Sequence, residues 1–451
     1  MVIRNTLRRI VFLAFITLFL VVGTYLTIKM LGFVIDTKHM QLTKASGIFV
    51  SFTPSDSILY LDGDEYPGKV GFMGKDIYVP GLMPGTHTVS LKKDGYYDWN
   101  KELTLESGRV ASAKDVTLWP KTLTPLASST DVSSFWLTKN GPLTKNSKGQ
   151  LAINKTKIKG KNVILSNSDS KFVVTSDAGA YYFMDLDNTS TTINVATVFN
   201  KLKSEQLKIN GVTAIHEVIS HPFTRTTLVI TTNSSIYLLD MKKMSLEKLF
   251  SAEKLVTYAT SNNSIFAVDS RGTLTVMNLL MHTKSEYPIH LEFASRIIAD
   301  PEGSNLIIID SENKAFLYEV GAEILKKIGT DISFFSFSPD SKRAIIISRR
   351  GEAQIIYLKD YEDNVVRKNG DVSSLILNEQ EDALTFAWMP LEQNYFLIKA
   401  DGTMMIEEFD MRGKRNIYKI AKDAKQFAIH DNTLYLLNNS GLLTYQKLSA
   451  N

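Results

Sequence analysis

Six consecutive residues, His216-Glu217-Val218-Ile219-Ser220-His221, place two imidazoles and a carboxylate close together in the chain. They are one residue too long for the zinc-binding His-Glu-x-x-His arrangement, whose two histidines share one helix face. At five positions apart the rings diverge by about 140° on a helix, and on a strand an odd offset sends them to opposite faces. The string is therefore read as unrelated polar residues of a strand or loop. Three acidic clusters raise calcium or glycosidase chemistry: Asp62-Gly63-Asp64-Glu65, Asp185-Leu186-Asp187-Asn188 and Asp360-Tyr361-Glu362-Asp363. Each falls in a turn, and none completes the oxygen-rich loop, closed by a bidentate glutamate, that an EF-hand needs. Carboxylates from separate elements would serve glycoside hydrolysis, but the sequence does not pair them. Ser176-Asp177-Ala178-Gly179 reads as a turn, and Trp99, Trp119, Trp136 and Trp388 read as core rings before sugar platforms. No phosphate loop, dinucleotide fingerprint, nucleophile elbow or kinase signature occurs in its strand-to-helix setting. The expectation is no catalytic residue, no cofactor and no metal.

The elements that would position any such chemistry begin with a greasy rod. Ile10 to Ile28 carries no charge and follows Arg4, Arg8 and Arg9. At ~1.5 Å per residue this run matches the hydrocarbon core of a bilayer. Thr17, Gly23, Thr24, Tyr25 and Thr27 interrupt it, and their hydroxyls can bond back to helix carbonyls. The three arginines outweigh Lys29 at the far end, so the expected topology has the N-terminus cytoplasmic and the bulk of the chain outside. A cleaved signal peptide is the competing reading, disfavoured by the length of the run and the lack of a small-residue cleavage site. With no cysteine, there is no lipoprotein anchor, disulfide or thiolate metal site to consider.

The 451 residues comprise 44% hydrophobic side chains and a net charge of +4 from 51 basic and 47 acidic residues. That balance argues against a nucleic-acid partner and leaves enough apolar material for a folded core of two or three domains. The expected boundaries are a cytoplasmic tail at 1–9, a transmembrane helix at 10–35, a linker at 36–45, a small β-domain at 46–120 and a larger β-domain at 121–451.

In the smaller domain Ile48, Val50 and Phe52 alternate with Phe49, Ser51 and Thr53, the period of a two-faced strand. Turn dipeptides follow at Asp62-Gly63, Pro67-Gly68, Pro84-Gly85 and Asp94-Gly95, with His87, Val89 and Leu91 alternating between the last two. On Leu61-Asp62-Gly63, Gly68, Leu82-Met83-Pro84-Gly85, His87, Val89, Leu91-Lys92 and Gly95-Tyr96, the stretch from Gly47 to about Leu118 resembles a PEGA domain, a small β-sandwich of bacterial and archaeal surface proteins. The tetrapeptide that names the family appears here as Pro54-Ser55-Asp56-Ser57.

Beyond Trp119-Pro120 a hairpin unit recurs, an apolar run, a polar turn and a second apolar run. Copies start near Lys171, Leu228, Ile265, Leu306, Ala344, Tyr395 and Leu434, with a weaker one at Phe135-Trp136-Leu137. The spacing is near the ~40–50 residue period of a four-stranded propeller blade. Phe335 to Lys342, with Phe386 to Pro390 and His221-Pro222 in the equivalent places, resembles the inner strand and turn of a WD40-like or TolB-like blade. The fold class expected is mainly β: one transmembrane helix, a PEGA-like sandwich and a seven-bladed, alternatively eight-bladed, propeller. A parallel β-solenoid or paired sandwiches are the competing architectures.

The expected function is non-catalytic binding or scaffolding on the outer side of the membrane, with the bilayer as one partner and an envelope glycan or surface protein as the other. Two alternatives stand beside it, a propeller-type glycan hydrolase or lyase and an envelope assembly factor or sensor. The short tail at 1–9 holds no signalling domain, which weakens the sensor version. The ligand, the oligomeric state and the packing of the two outer domains are left open by the sequence.

Overall fold

The computed structural model describes residues 2–36, 41–67, 76–154, 156–165, 172–187, 191–221, 224, 226–287, 294–362, 364–376, 385–389, 395–400, 402–430 and 433–445. Helix α1 (Val2–Met30) contains the charge-free run, and none of its Arg8–Met30 stretch is buried by the rest of the protein. The Thr17 and Thr27 hydroxyls donate to the carbonyls of Leu13 and Gly23 at 2.9 and 2.8 Å, which hides their polarity inside the helix. This helix is apolar enough to span a membrane or to serve as a signal sequence.

Two expected boundaries shift at its end. Gly32 adopts φ 77°, and the chain leaves the helix for strand β1 (Phe33–Asp36), paired antiparallel with β2 (Gln41–Lys44). Residues 31–35 are thus outside the helix, and the connector expected over 36–45 carries a strand. Phe33-Val34-Ile35 is aromatic and β-branched, a composition that suits a strand once a partner is available.

The small domain is built from β3 (Ser46–Thr53), β4 (Ile58–Leu61), β5 (Asp64–Glu65), β6 (Asp76–Leu82), β7 (Gly85–Lys92), β8 (Trp99–Leu105) and β9 (Val110–Thr117). These form two sheets, ordered β6-β3-β9 and β5-β4-β7-β8, over a shared core that includes Ile48, Val50, Leu59, Val89, Leu91 and Trp99. At the β4–β5 turn Asp62 and Gly63 take φ 52° and 96°, the double positive φ that a two-residue hairpin prefers. The Pro84-Gly85 turn carries the chain from one sheet to the other. Gly68, expected in a further turn, lies outside the described residues.

After β10 (Pro125–Ser129), eight four-stranded antiparallel sheets follow among the described residues. Seven span 134–158, 162–194, 217–251, 255–287, 294–329, 332–376 and 385–421; the eighth joins residues 426–445 to β10. All seven strong hairpin units occupy the second and third strands of a sheet, and the weaker copy at Phe135 opens the first sheet. Central strands explain the apolar runs: Thr227–Thr231, Ser264–Asp269 and Asn305–Asp310 are buried at every position, whereas the fourth strand Thr283–Tyr287 is mostly exposed.

Each pair of consecutive sheets shares a hydrophobic core. Leu143 and Val173 join the first to the second, Val174 and Leu228 the second to the third, and Val229 and Ile265 the third to the fourth. Phe266 with Leu306, Ile307 with Ile346, Ile345 with Phe396, and Leu397 with Leu434 continue the series. The eighth core, Leu437 and Leu442 against Phe135, returns to the first sheet. Successive side chains on one strand therefore serve different cores, Leu228 and Ile230 on one side and Val229 on the other, as strand alternation requires.

The last sheet is completed by β10 from the far end of the domain, with Ser129 opposite Leu442. Gly441 adopts φ 120° there, and a Cβ at this position would lie 2.3 Å from the Ser129 carbonyl oxygen, so only glycine fits. Between the second and third sheets sits α2 (Val195–Leu207), N-capped by Asn194 and packed into the intervening core through Val195, Phe199 and Leu202.

Candidate functional site

The first strand of each sheet from the third to the sixth pairs on one side only, and these strands line a cavity of about 1150 Å³. His216 and Glu217 enter it at the start of strand Glu217–Ser220, Tyr258 from Leu255–Thr260, Arg296 from Ala294–Ala299 and Phe335 from Ile332–Phe337. Tyr258 donates its hydroxyl to a Glu217 carboxylate oxygen at 2.5 Å, and Tyr181 donates to the His216 carbonyl at 3.3 Å. Burial, then the Glu217 charge, holds the Tyr258 phenol far above its ordinary range, and the same two causes raise Tyr181. Both phenols therefore remain hydrogen-bond donors at neutral pH. Arg296 lies over the Phe335 ring at 4.8 Å, a cation–π contact that orients the guanidinium without consuming its N–H donors.

The two histidines of the opening string part company. His216 is exposed at the cavity, while His221 is buried beyond the strand, where its Nδ1 accepts the Thr224 N–H at 3.1 Å and burial depresses its pKa. The acidic clusters fasten turns and neighbouring strands. Asp62 accepts from His87 Nδ1 at 2.7 Å and from the Thr88 N–H at 2.9 Å. Asp185 accepts the Asp187 N–H, and Asp360 holds Lys368 Nζ and the Asn369 N–H. Asn188 and Asp363 lie outside the described residues. Ser176 to Gly179 includes a tight turn, with Asp177 opposite Ala180. Among the described residues no group of three histidine or acidic side chains is arranged to hold a metal ion. Trp99 and Trp119 are core rings, while Trp136 and Trp388 are half-buried.

A second constellation, absent from the sequence reading, fastens the small domain to the seventh sheet. Strand β8 alternates strictly between buried and exposed, which turns Lys101 inward beside Trp99. Lys101 Nζ lies 3.0 Å from Glu408 Oε2, both side chains buried, and donates to the Asp410 carbonyl at 2.6 Å. Trp99 Nε1 donates to Glu408 Oε1 at 3.0 Å. Asn416 Nδ2 donates to Glu408 Oε2 at 2.8 Å and to the Asn100 carbonyl at 3.1 Å. Burial pushes the Glu408 carboxyl above the ordinary carboxylate range, while Lys101, Trp99 and Asn416 pull it back.

Around this pair Arg412 bridges the Asp410 carboxylate at 2.7 Å and the Ser112 carbonyl at 2.8 Å. Tyr97 donates to the Lys419 carbonyl at 2.7 Å, and Trp119 meets Tyr395 edge-on with ring centroids 5.5 Å apart. Trp119, at the expected boundary between the two domains, is buried, as its reading as a core ring anticipates. The available signal was a lysine on the apolar face of an alternating strand, because a buried ammonium requires a partner.

These features define a mainly β protein that joins an apolar N-terminal helix to a compact two-sheet domain and a larger set of four-stranded sheets. The two-sheet unit can be placed in a family: residues 45–118 match the PEGA domain, in agreement with the resemblance read from its turns. A search of the curated proteins finds no match. Similar solved structures include Kluyveromyces lactis Hsv2, at 9% identity over 65% of this chain and 100% of that one, with a TM-score of 0.44. Another is the Hsv2 variant whose loop 6CD is replaced by a Gly-Ser linker, at 8% identity over 64% and 98% of the two chains, with a TM-score of 0.43.

Proposed function

We propose that this chain is a single-pass membrane protein with its N-terminus in the cytoplasm, presenting the PEGA domain and an eight-bladed β-propeller outside as a non-catalytic binding scaffold for an envelope glycan or surface protein. The propeller reading is supported by the cyclic order of the eight inter-sheet cores, the last of which joins the eighth sheet to the first. The anchor reading is supported by the charge-free run Ile10 to Ile28, which none of the described residues buries, and its orientation by the arginines at one end. The observation that carries the binding reading is the wide cavity of mixed polarity, lined by rigid strands, since ligand sites are typically preformed concavities with a few placed polar groups.

Topology and retention test it together. Full-length protein should stay in the membrane fraction, protease added to intact cells should digest everything beyond the helix, and the protein should co-sediment with insoluble envelope material. Replacing Phe15 and Leu18 with arginine, each costing about 2.5–3.5 kcal/mol in the bilayer centre, should move the protein to the soluble fraction. Protection of the bulk until lysis would overturn the orientation, and absence from the sedimented envelope would overturn the binding role.

One observation keeps the enzyme reading as a rival: Glu217, Glu253 and His216 line the same cavity. Release of reducing ends or unsaturated sugars from envelope glycans by the purified protein would decide for a hydrolase or lyase.

A further inference from the structure

We infer that the cavity along the inner strands of the third to sixth sheets is a seat for an acidic oligosaccharide, in which Arg296 pairs with ligand carboxylates and Glu217 accepts ligand hydroxyls. This deepens the binding reading above and rests on it. Three features of the cavity converge on that chemistry.

First, its cations lack anions. Arg296 and Lys254 are exposed in the cavity, and neither has a carboxylate partner among the described residues. Glu253 lies within electrostatic range of Arg271, while Glu217 is engaged by Tyr258. A guanidinium held on an aromatic face presents a planar set of donors that matches a carboxylate.

Second, the polar lining both donates and accepts. Tyr258 occupies one oxygen of the exposed Glu217 carboxylate, which keeps capacity for a further donor, and Thr257, Thr260 and Asn233 add hydroxyl and amide groups. Sugar hydroxyls are donors and acceptors at once. Third, the walls are anchored. Ile219, Leu255, Ile298 and Phe335 are partly buried against the inter-sheet cores, which holds the lining strands in place around the polar groups. Its volume of about 1150 Å³ exceeds the roughly 300–1,000 Å³ of ordinary small-ligand sites, room for more than one sugar ring.

Calorimetric titration of the full-length protein in detergent micelles tests the assignment, with oligogalacturonate as the probe and a neutral malto-oligosaccharide and oligoglutamate of matched length beside it. The uronate should bind, and Arg296→Ala should weaken it at least about tenfold, the loss of a charge-assisted pair. Arg296→Lys should fall between, Glu217→Gln should weaken binding several-fold, and Lys121→Ala, outside the cavity, should change nothing. The neutral sugar should bind far more weakly than the uronate. No uronate binding, an unchanged affinity in Arg296→Ala, a neutral sugar binding as well as the acidic one, or oligoglutamate binding as tightly would each overturn the inference. Retention on envelope material separates the two levels: if the wild type is retained but binds no uronate, only the cavity assignment fails, and if it is not retained, the binding scaffold fails as well.

Discussion

The seam between the small domain and the seventh sheet and the cavity along the inner strands use the same side chains to opposite ends. In the seam the buried Lys101, Glu408 and Trp99, with the half-buried Asn416 beside them, complete one another's hydrogen bonds. In the cavity Arg296, Lys254 and Glu217 stand in solvent with capacity left over. Burial makes the difference. A charge removed from water must find a partner within the protein, whereas one left in an open concavity can wait for a guest at little cost. The closed network ties the PEGA domain to the larger domain, and the open one is where the proposed recognition is placed.

Substitutions that expose this contrast should span a wide range of effects. Lys101→Ala strands the Glu408 carboxylate in the seam and should cost about 3–5 kcal/mol in chemical unfolding. Replacing Lys101 and Glu408 together with methionine should recover most of that loss, because the penalty comes from the unpaired ion. Equal losses in the single and double variants would show that packing, and not charge pairing, holds the seam.

An intermediate case is His87, half-buried in the PEGA domain between the Asp62 carboxylate and the Met83 carbonyl. Burial works against its charge, but the Asp62 and Met83 hydrogen bonds outweigh it and raise the pKa above 6.5. The raised folded value means that this stabilisation is fully present below about pH 6.5, the unfolded reference. It is lost as pH rises through the folded pKa. Unfolding midpoints should therefore decline from pH 6 toward pH 8.5, and His87→Asn should flatten that decline; an unaltered slope in the variant would assign the effect elsewhere.

The smallest effect should be at Arg296. As an exposed side chain without an ionic partner among the described residues, its replacement by alanine should leave stability within about 0.5 kcal/mol. A loss comparable to that of Lys101→Ala would make Arg296 a structural residue and erase the contrast between the two regions.

The hairpins were legible because their signals are local. Asp62-Gly63 sits at a turn that needs two positive φ angles, and runs such as Leu306 to Ile309 advertise strands buried on both faces. The length and charge pattern of α1 likewise required no tertiary knowledge. Strand β2 in the supposed linker was missed because four residues, Gln41 to Lys44, carry too short a pattern to register without their partner. Helix α2 was hidden in a long gap between two hairpin units.

What the amino-acid order determined by itself was the local grammar: an apolar rod, turns with their glycines, alternating and continuous apolar strands, and the PEGA-like run of motifs. Tertiary structure alone decided which distant pieces meet. Trp99 and Glu408 touch although 309 residues separate them, β10 closes a sheet whose other strands lie at the opposite end of the domain, and the cavity collects residues from four successive sheets. Local patterns encode backbone conformation because φ, ψ and side-chain periodicity are set by near neighbours. A contact between remote segments depends on the packing of everything between them, so it becomes visible only once the chain is folded.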